Sequence, residues 1–208
     1  MATGGFQVSC KQWTAKEAIL NRGPAILPGM QRIFIGVQVD RQAQRHINEL
    51  LRPLKELGRD IRWVPENNRH LTLAFLGNVP VSEVDILVGL FDETYWQEKH
   101  FRFKLTRLTR FPESTSTIIA LTGEPGRTMD NLLQITLRLL QSNDQRIDRK
   151  EFLPHVTVAR LKRAKQLKTT FDQQTNIYLD IAKITLYQST LTECGPVYSV
   201  LKETKLQV

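Results

Sequence analysis

The sequence predicts an α+β fold with antiparallel strand pairing and two related halves, on three observations. Strand-like and helix-like periods are interspersed along the 208 residues. Two strand-like runs, 101–108 and 117–123, are joined by a short turn, which favours antiparallel pairing because a parallel crossover needs a dozen residues or more. Finally, HLTLAF at 70–75 and HVTVAR at 155–160 repeat one pattern 85 residues apart, as if each half contributed an equivalent strand.

Each element has its own signal. Residues 1–30 contain several Gly and Pro residues, so a loosely ordered extension is expected there, with a short helix near 14–21 that Thr14 can cap. One domain is expected over 31–208. It opens with RIFIGVQV at 32–39, whose Ile, Val and Phe read as a buried strand. Asp40 stands at an N-cap position, and Ala43, Ile47, Leu50, Leu51, Leu54 and Leu57 follow at helical spacing. Pro53 predicts a kink or an early end to that helix, and Gly58 a terminator. The run HLTLAFLG at 70–77 is the second strand. Ser82 with Asp85 reads as a capping box before a helix that buries Val84, Leu87, Leu90 and Phe91. FRFKLTRL and TIIALTG form two strands around a turn at 111–116. Met129, Leu132, Leu133, Leu137 and Leu140 mark an amphipathic helix over 128–140. A polar loop (141–151), a strand introduced by Pro154, a basic segment (160–168) and two closing strands, about 177–191 and 197–204, complete the chain.

Composition narrows the class. Hydrophobic residues make up 41%, enough for a core, and the net charge is +8 with a pI near 9.7. Such a surplus favours phosphate-rich partners, because cations near phosphates gain Coulomb energy and release counterions. The two cysteines, Cys10 and Cys194, form no CxxC pair and no disulfide framework, so a reducing, cytoplasmic setting is expected. No run has the apolar length of a membrane helix, and the N-terminus does not read as a secretory signal. A monomer without membrane contact is expected.

The repeated motif carries the chemistry. Side chains alternate along a strand. Alternation groups His70, Thr72 and Ala74 against Leu71, Leu73 and Phe75, and His155, Thr157 and Ala159 against Val156 and Val158. Each strand then has an apolar face for the core and a face with an imidazole, a hydroxyl and a small methyl. Two residues of rise set His and Thr about 6.5 Å apart, so both tips reach one bound phosphate. If the strands lie side by side, two imidazoles face each other across a slot. One neutral imidazole can take a proton from water while one imidazolium protonates a departing ribose oxygen. The threonine hydroxyls can donate to the non-bridging phosphate oxygens, whose charge grows in the transition state. There is no HxH, no HExxH and no carboxylate beside either histidine, so no metal or other cofactor is expected. A lone His-x-Thr arises by chance, and a single histidine at a strand start is more often structural. Two copies with the same apolar flanks, in a chain of four histidines, favour catalysis. The other two, His46 and His100, are expected at the surface.

These motifs resemble those of the two-histidine phosphoesterase superfamily. Within it they are most similar to the RNA 2',3'-cyclic phosphodiesterases, also called 2'-5' RNA ligases. WVPENNRHLTLAFLG at 63–77 and FLPHVTVARLK at 152–162 resemble the two motifs, RIFIGVQV the opening strand and ITLYQSTLTECGPVYSVL at 184–201 the closing strands. The resemblance covers about residues 31–204. It implies a bilobal two-histidine phosphoesterase fold, with two pseudo-symmetric lobes whose antiparallel sheets, flanked by helices, surround a central cleft. It also implies metal-independent hydrolysis of RNA 2',3'-cyclic phosphate ends to 2'-phosphomonoesters, with a weak 2'-5' joining activity. His70 and His155 are then the catalytic pair, His70 as acid and His155 as base, with Thr72 and Thr157 binding phosphate. Arg160 matches a substrate-binding arginine, although simple alternation turns it to the face opposite His155. Phe75 holds the corresponding place after the first motif.

Two other readings stay open at this level. In one, the cleft belongs to a non-catalytic RNA-end-binding module, with Arg102, Lys104, Arg107, Arg110 and the 160–168 segment tracking the phosphate backbone. In the other, the enzyme acts on 2'-5' oligonucleotides or ADP-ribose cyclic phosphate. Phe34, Trp63, Tyr187 and Tyr198 are candidate base-stacking residues, each as readily part of the core.

Overall fold

Nine strands and three α-helices follow one another in a computed structural model that describes residues 28–57, 60–141, 152–162, 171–192 and 195–207. The first half of the chain forms β1 (Met30–Gln38), α1 (Arg41–Leu51), β2 (Ile61–Trp63), β3 (His70–Pro80) and α2 (Val81–Glu93). Then come β4 (Phe101–Phe111), β5 (Ile118–Thr122), α3 (Arg127–Gln141) and β6 (His155–Leu161). The chain closes with β7 (Asp172–Ile181), β8 (Lys183–Thr192) and β9 (Gly195–Lys205). Residues 1–27, Gly58, the loop after Gln141, most of the basic segment and Cys194 lie outside the described residues, so the expectations placed there, Cys10 included, are not addressed.

The strands form one sheet in the order β7-β4-β5-β6-β3-β1-β8-β9, with β2 beside β6. Every pairing between these strands is antiparallel. Two sets of four, β9-β8-β1-β3 and β7-β4-β5-β6, are related in plan, and each ends on a motif strand. They meet at a single pair, Leu71 opposite Val156. The two expected sheets are therefore one continuous sheet, joined at its centre by the two motif strands. Helix α1 packs against β7, α2 against β1, β3 and β9, and α3 against β3. Their apolar sides close over Ile33, Ile35, Leu71, Leu121, Val156 and Val158, all at most 1% exposed. Each such side chain contributes roughly 1.5–3 kcal/mol by leaving water.

Helix α1 begins as the sequence predicts. The Asp40 Oδ1 accepts from the backbone N–H groups of Gln42 (2.8 Å) and Ala43 (3.0 Å). Its Oδ2 accepts from the backbone N–H of Asp180 at 2.9 Å, tying the helix start to β7. Asp40→Ala removes both functions and is expected to lower the unfolding free energy by about 1–3 kcal/mol. Chemical denaturation reads this as a lower midpoint at constant slope; a loss below about 0.5 kcal/mol would mean that water replaces the carboxylate at both ends.

Other boundaries differ from expectation for local reasons. Pro53 ends α1 at Leu51, and a 3-10 turn (Pro53–Leu57) follows. The capping box at Ser82 does not form. Helix α2 starts at Val81 behind Pro80, which leaves Ser82 inside the first turn, and the Val81 N–H donates to the Gly29 carbonyl at 2.9 Å. Leu90 is half-buried, while Val84, Leu87 and Phe91 form the inner face as expected. In α3 the buried side chains include Ile135 and Leu139, whereas Leu133 and Leu137 are half-buried. Three strands, not two, close the chain. Ala182 alone separates β7 from β8, which lie in different halves of the sheet. Buried positions run Ile177, Leu179, Ile181, then Ile184 and Leu186. The apolar run is continuous and only its parity changes.

Candidate active site

Strands β3 and β6 repeat one burial pattern residue for residue. From His70 to Leu76, and from His155 to Leu161, it is half-buried, buried, half-buried, buried, buried, exposed, buried. The two successive buried positions mark a bulge in each strand. Between the pairs Gly36–Thr72 and Ile35–Ala74, β3 has one residue more than β1, namely Leu73. Between Ala120–Thr157 and Ile119–Ala159, β6 has one more than β5, namely Val158. A bulge of this kind reverses the side-chain parity beyond it. This corrects the simple alternation: Ala74 and Ala159 turn inward, 8% and 0% exposed. The residue five places after each histidine turns back to the histidine face. That residue is Phe75 in β3, 52% exposed, and Arg160 in β6, also exposed.

The central pair sets the register of the site. With Leu71 opposite Val156, His70 takes the position across from Thr157, and His155 the position across from Thr72. All four lie on the face opposite the buried pair. An imidazolium at His155 disfavours one at His70. Both rings are held alike. The Nδ1 of His70 donates to the Asn68 carbonyl at 2.8 Å, and the Nδ1 of His155 to the Leu153 carbonyl at 2.8 Å. A carbonyl can only accept, so Nδ1 carries the proton in the neutral rings. The Nε2 lone pair is then the one able to take up a proton.

The two rings differ in what surrounds them. Phe34 lies 4.7 Å from the His70 ring and Tyr198 meets it edge-on at 5.0 Å, with Tyr187 stacked behind Phe34 at 4.8 Å. Burial pushes the His70 pKa down to about 4, against the pull of the Asn68 carbonyl and with help from His155. Phe111 stacks on His155 at 3.9 Å. Burial lowers the His155 pKa too, and the Arg160 guanidinium adds to the effect. Although Arg160 is exposed as a residue, partial desolvation of its guanidinium lowers its pKa; Tyr198 opposes this and Arg62, its neighbour across β2 and β6, adds to it. His46 and His100 are exposed, and His100 pairs with Asp180.

Several supports have no signal in the sequence. Arg69 is 3% exposed. Its guanidinium donates to Gln44 Oε1 (2.8 Å), Asn48 Oδ1 (2.9 Å) and the Val64 carbonyl (3.2 Å), which pins the residue before His70 to α1. Gly36 lets β1 approach the motif, because a Cβ there would stand 2.7 Å from the Leu71 carbonyl oxygen. Of the four candidate stacking aromatics, Phe34 and Tyr187 are 3% and 6% exposed and act as packing under the histidine. Trp63 and Tyr198 are half-buried. Cavities of about 210 and 630 Å³ border Asp40, and neither is lined by His70, Thr72, His155, Thr157 or Arg160. Among the described residues, no helix is long and apolar enough to cross a membrane.

Comparison with known proteins agrees with this geometry. A family model described as LigT-like phosphoesterase matches residues 37–120. The chain is similar to an RNA 2',3'-cyclic phosphodiesterase of Aeropyrum pernix, 30% identical over 158 residues, covering 71% of this chain and 88% of the relative. It is also similar to an RNA 2',3'-cyclic phosphodiesterase of Thermotoga maritima, 27% identical over 182 residues, covering 85% and 96%. The crystal structure of TT0787 from Thermus thermophilus superposes with a TM-score of 0.75 at 26% identity, covering 85% of this chain and 98% of that one. An antiparallel sheet centred on two abutting His-x-Thr strands defines the class as a two-histidine phosphoesterase. The chain belongs to the LigT-like phosphoesterase family.

Proposed function

We propose that this protein hydrolyses RNA 2',3'-cyclic phosphate ends to 2'-phosphomonoesters, using His70 and His155 as its proton carriers. The observation that carries the reading is the shared register: two imidazoles and two threonine hydroxyls from one chain stand on one face around the Leu71–Val156 pair. The names of the relatives in Aeropyrum and Thermotoga support the substrate.

The step balances without a cofactor. Water attacks phosphorus and gives its proton to a neutral imidazole; the bond from phosphorus to O3' breaks and O3' takes a proton from the other, an imidazolium. The products are a 2'-phosphate and a free 3'-hydroxyl. Thr72 and Thr157 donate to the non-bridging oxygens, and Arg160, returned to this face by the bulge, adds a fixed positive charge. The family resemblance makes His70 the acid and His155 the base. Burial favours the neutral form of both rings in the free protein, and more so at His70. The anionic substrate supplies the opposing field that loads a proton on the acid. A 5'-hydroxyl in place of water gives 2'-5' joining by the same pair, the secondary activity of this reading.

Phosphorus NMR of the product from a nucleoside 2',3'-cyclic phosphate, in excess chelator, tests reaction and regiochemistry together. The 2'-monophosphate is expected. A 3'-monophosphate, or turnover only with added metal ion, would overturn the reading. Salt-sensitive RNA binding without product would restore the end-binding module.

A further inference from the structure

We infer that the open face of β4 and β7 binds the single-stranded body of an RNA whose cyclic end lies between the histidines; this rests on the proposed function. A straight row crosses the sheet from the site. His155 is opposite Thr122, Thr122 opposite Arg107, and Arg107 opposite Gln174. Residues opposite each other in a sheet share a face, so Arg107 stands on the face of His155. Thr109 and Phe111 follow on that face at every second residue, and Phe111 stacks on the His155 ring.

Further along β4 the face stays cationic. An irregularity in the β4–β7 pairing lies between Leu105 and Arg107. Phe103, Leu105 and Leu108 are buried on both sides of it, 5%, 0% and 1% exposed. The parity change keeps Arg102, Lys104 and Arg107 on the open side, all exposed. Tyr178 of β7 is opposite Lys104, and its ring is open to solvent. The Arg102 guanidinium carbon lies 4.4 Å from that ring centre and the Lys104 ammonium 5.9 Å. Of the nearby carboxylates, Asp180 is engaged by His100, and Asp172 pairs with Arg107 and offsets its charge, so Arg102 and Lys104 are the cations that flank the ring. Between these cations and the site lie Thr106, Thr109 and Thr122.

An exposed aromatic ring flanked by two cations is the chemistry of single-stranded nucleic-acid binding. A base stacks on the ring, sequence-independently, while the cations follow the phosphates. Distance sets the substrate class. Two strand spacings, about 10 Å, separate His155 from Arg107, and three residues of rise, about 10 Å more, lead to Lys104. A mononucleotide does not span this; an oligonucleotide does. The preferred substrate is therefore an oligoribonucleotide with a 2',3'-cyclic end.

The test compares kcat/KM for a cyclic-ended hexaribonucleotide and for the cyclic mononucleotide, in the wild type and in the Arg102→Ala, Lys104→Ala, Tyr178→Ser triple variant. The wild-type ratio is expected to favour the hexamer, and the variant to cut that ratio by about tenfold. The salt dependence of hexamer binding, read by fluorescence anisotropy, is expected to flatten by roughly one unit of log–log slope with two cations removed. Tyr178→Ser alone separates stacking from charge and guards against misfolding of the triple variant. A wild-type ratio near one, or the same ratio and slope in the variants, would overturn the inference. Tight binding of acidic peptides with no hexamer affinity would overturn it in favour of a protein partner. Lack of turnover of both the cyclic-ended hexamer and the mononucleotide in the wild type sinks the proposed function instead, and anisotropy still decides the RNA surface.

Discussion

Alanine at either His70 or His155 is expected to lower kcat for a nucleoside 2',3'-cyclic phosphate by about 10²- to 10⁴-fold. Each ring presents one free nitrogen, because Nδ1 is committed to the carbonyl two residues earlier. In the proposed mechanism, removing either ring removes one of two proton transfers, so the double variant should be little slower than the worse single one. Phe34 and Tyr198 pack on His70, so His70→Ala also leaves a gap that costs stability. His70→Asn separates the effects. Its amide can still donate to the Asn68 carbonyl, yet it carries no titrating nitrogen. Steady-state turnover of the Asn variant should match the Ala variant, with a melting temperature nearer the wild type. More than a tenth of wild-type turnover in both single-alanine variants would rule out the pair as proton carriers.

The pH optimum of kcat/KM is expected on the acid side of 6.5, whichever histidine is the base. In the proposed mechanism the working form holds one proton on the pair. In the free protein, burial drives His70 from 6.5 to about 4 and also lowers His155 below 6.5. The doubly protonated form is therefore left behind near pH 4. The singly protonated form gives way to two neutral rings before 6.5. Above that, kcat/KM should fall by up to about tenfold per pH unit. An optimum at or above pH 7 would show that the rings are better solvated than their packing indicates. Stability carries the same signature with a definite sign. Between pH 6.5 and 4 the unfolded chain protonates His70 and the folded chain does not. The unfolding free energy then decreases as pH falls through that window, by about 3 kcal/mol in all for a shift of this size, and His70→Asn should abolish that part.

How far the fold could be read in advance varied by element. Asp40 announced α1, Pro53 its end, and the Ile- and Val-rich runs the central strands, because caps, ring constraints and apolar periods act within a few residues. The switch at Ala182 was hidden because the apolar run continues through it. The start of α2 was hidden because the Gly29 carbonyl, distant in sequence, meets Val81. Strand β2 has three residues and no period to read.

Taken alone, the order of amino acids settled the chemistry on offer: two histidines, two threonines and an arginine at matched spacing in a basic chain. Those identities are covalent and local, and so is the alternation that puts His and Thr on one face. Whether the two strands would touch, and which way Arg160 and Phe75 would point, was decided only by pairing across the sheet. Bulges at Leu73 and Val158 exist only relative to the neighbouring strands β1 and β5. The same holds for the sunken charge states, since burial is a property of what the rest of the chain lays against a side chain. A strand's own sequence holds its alternation; its register, bulges and solvent exposure belong to its partners.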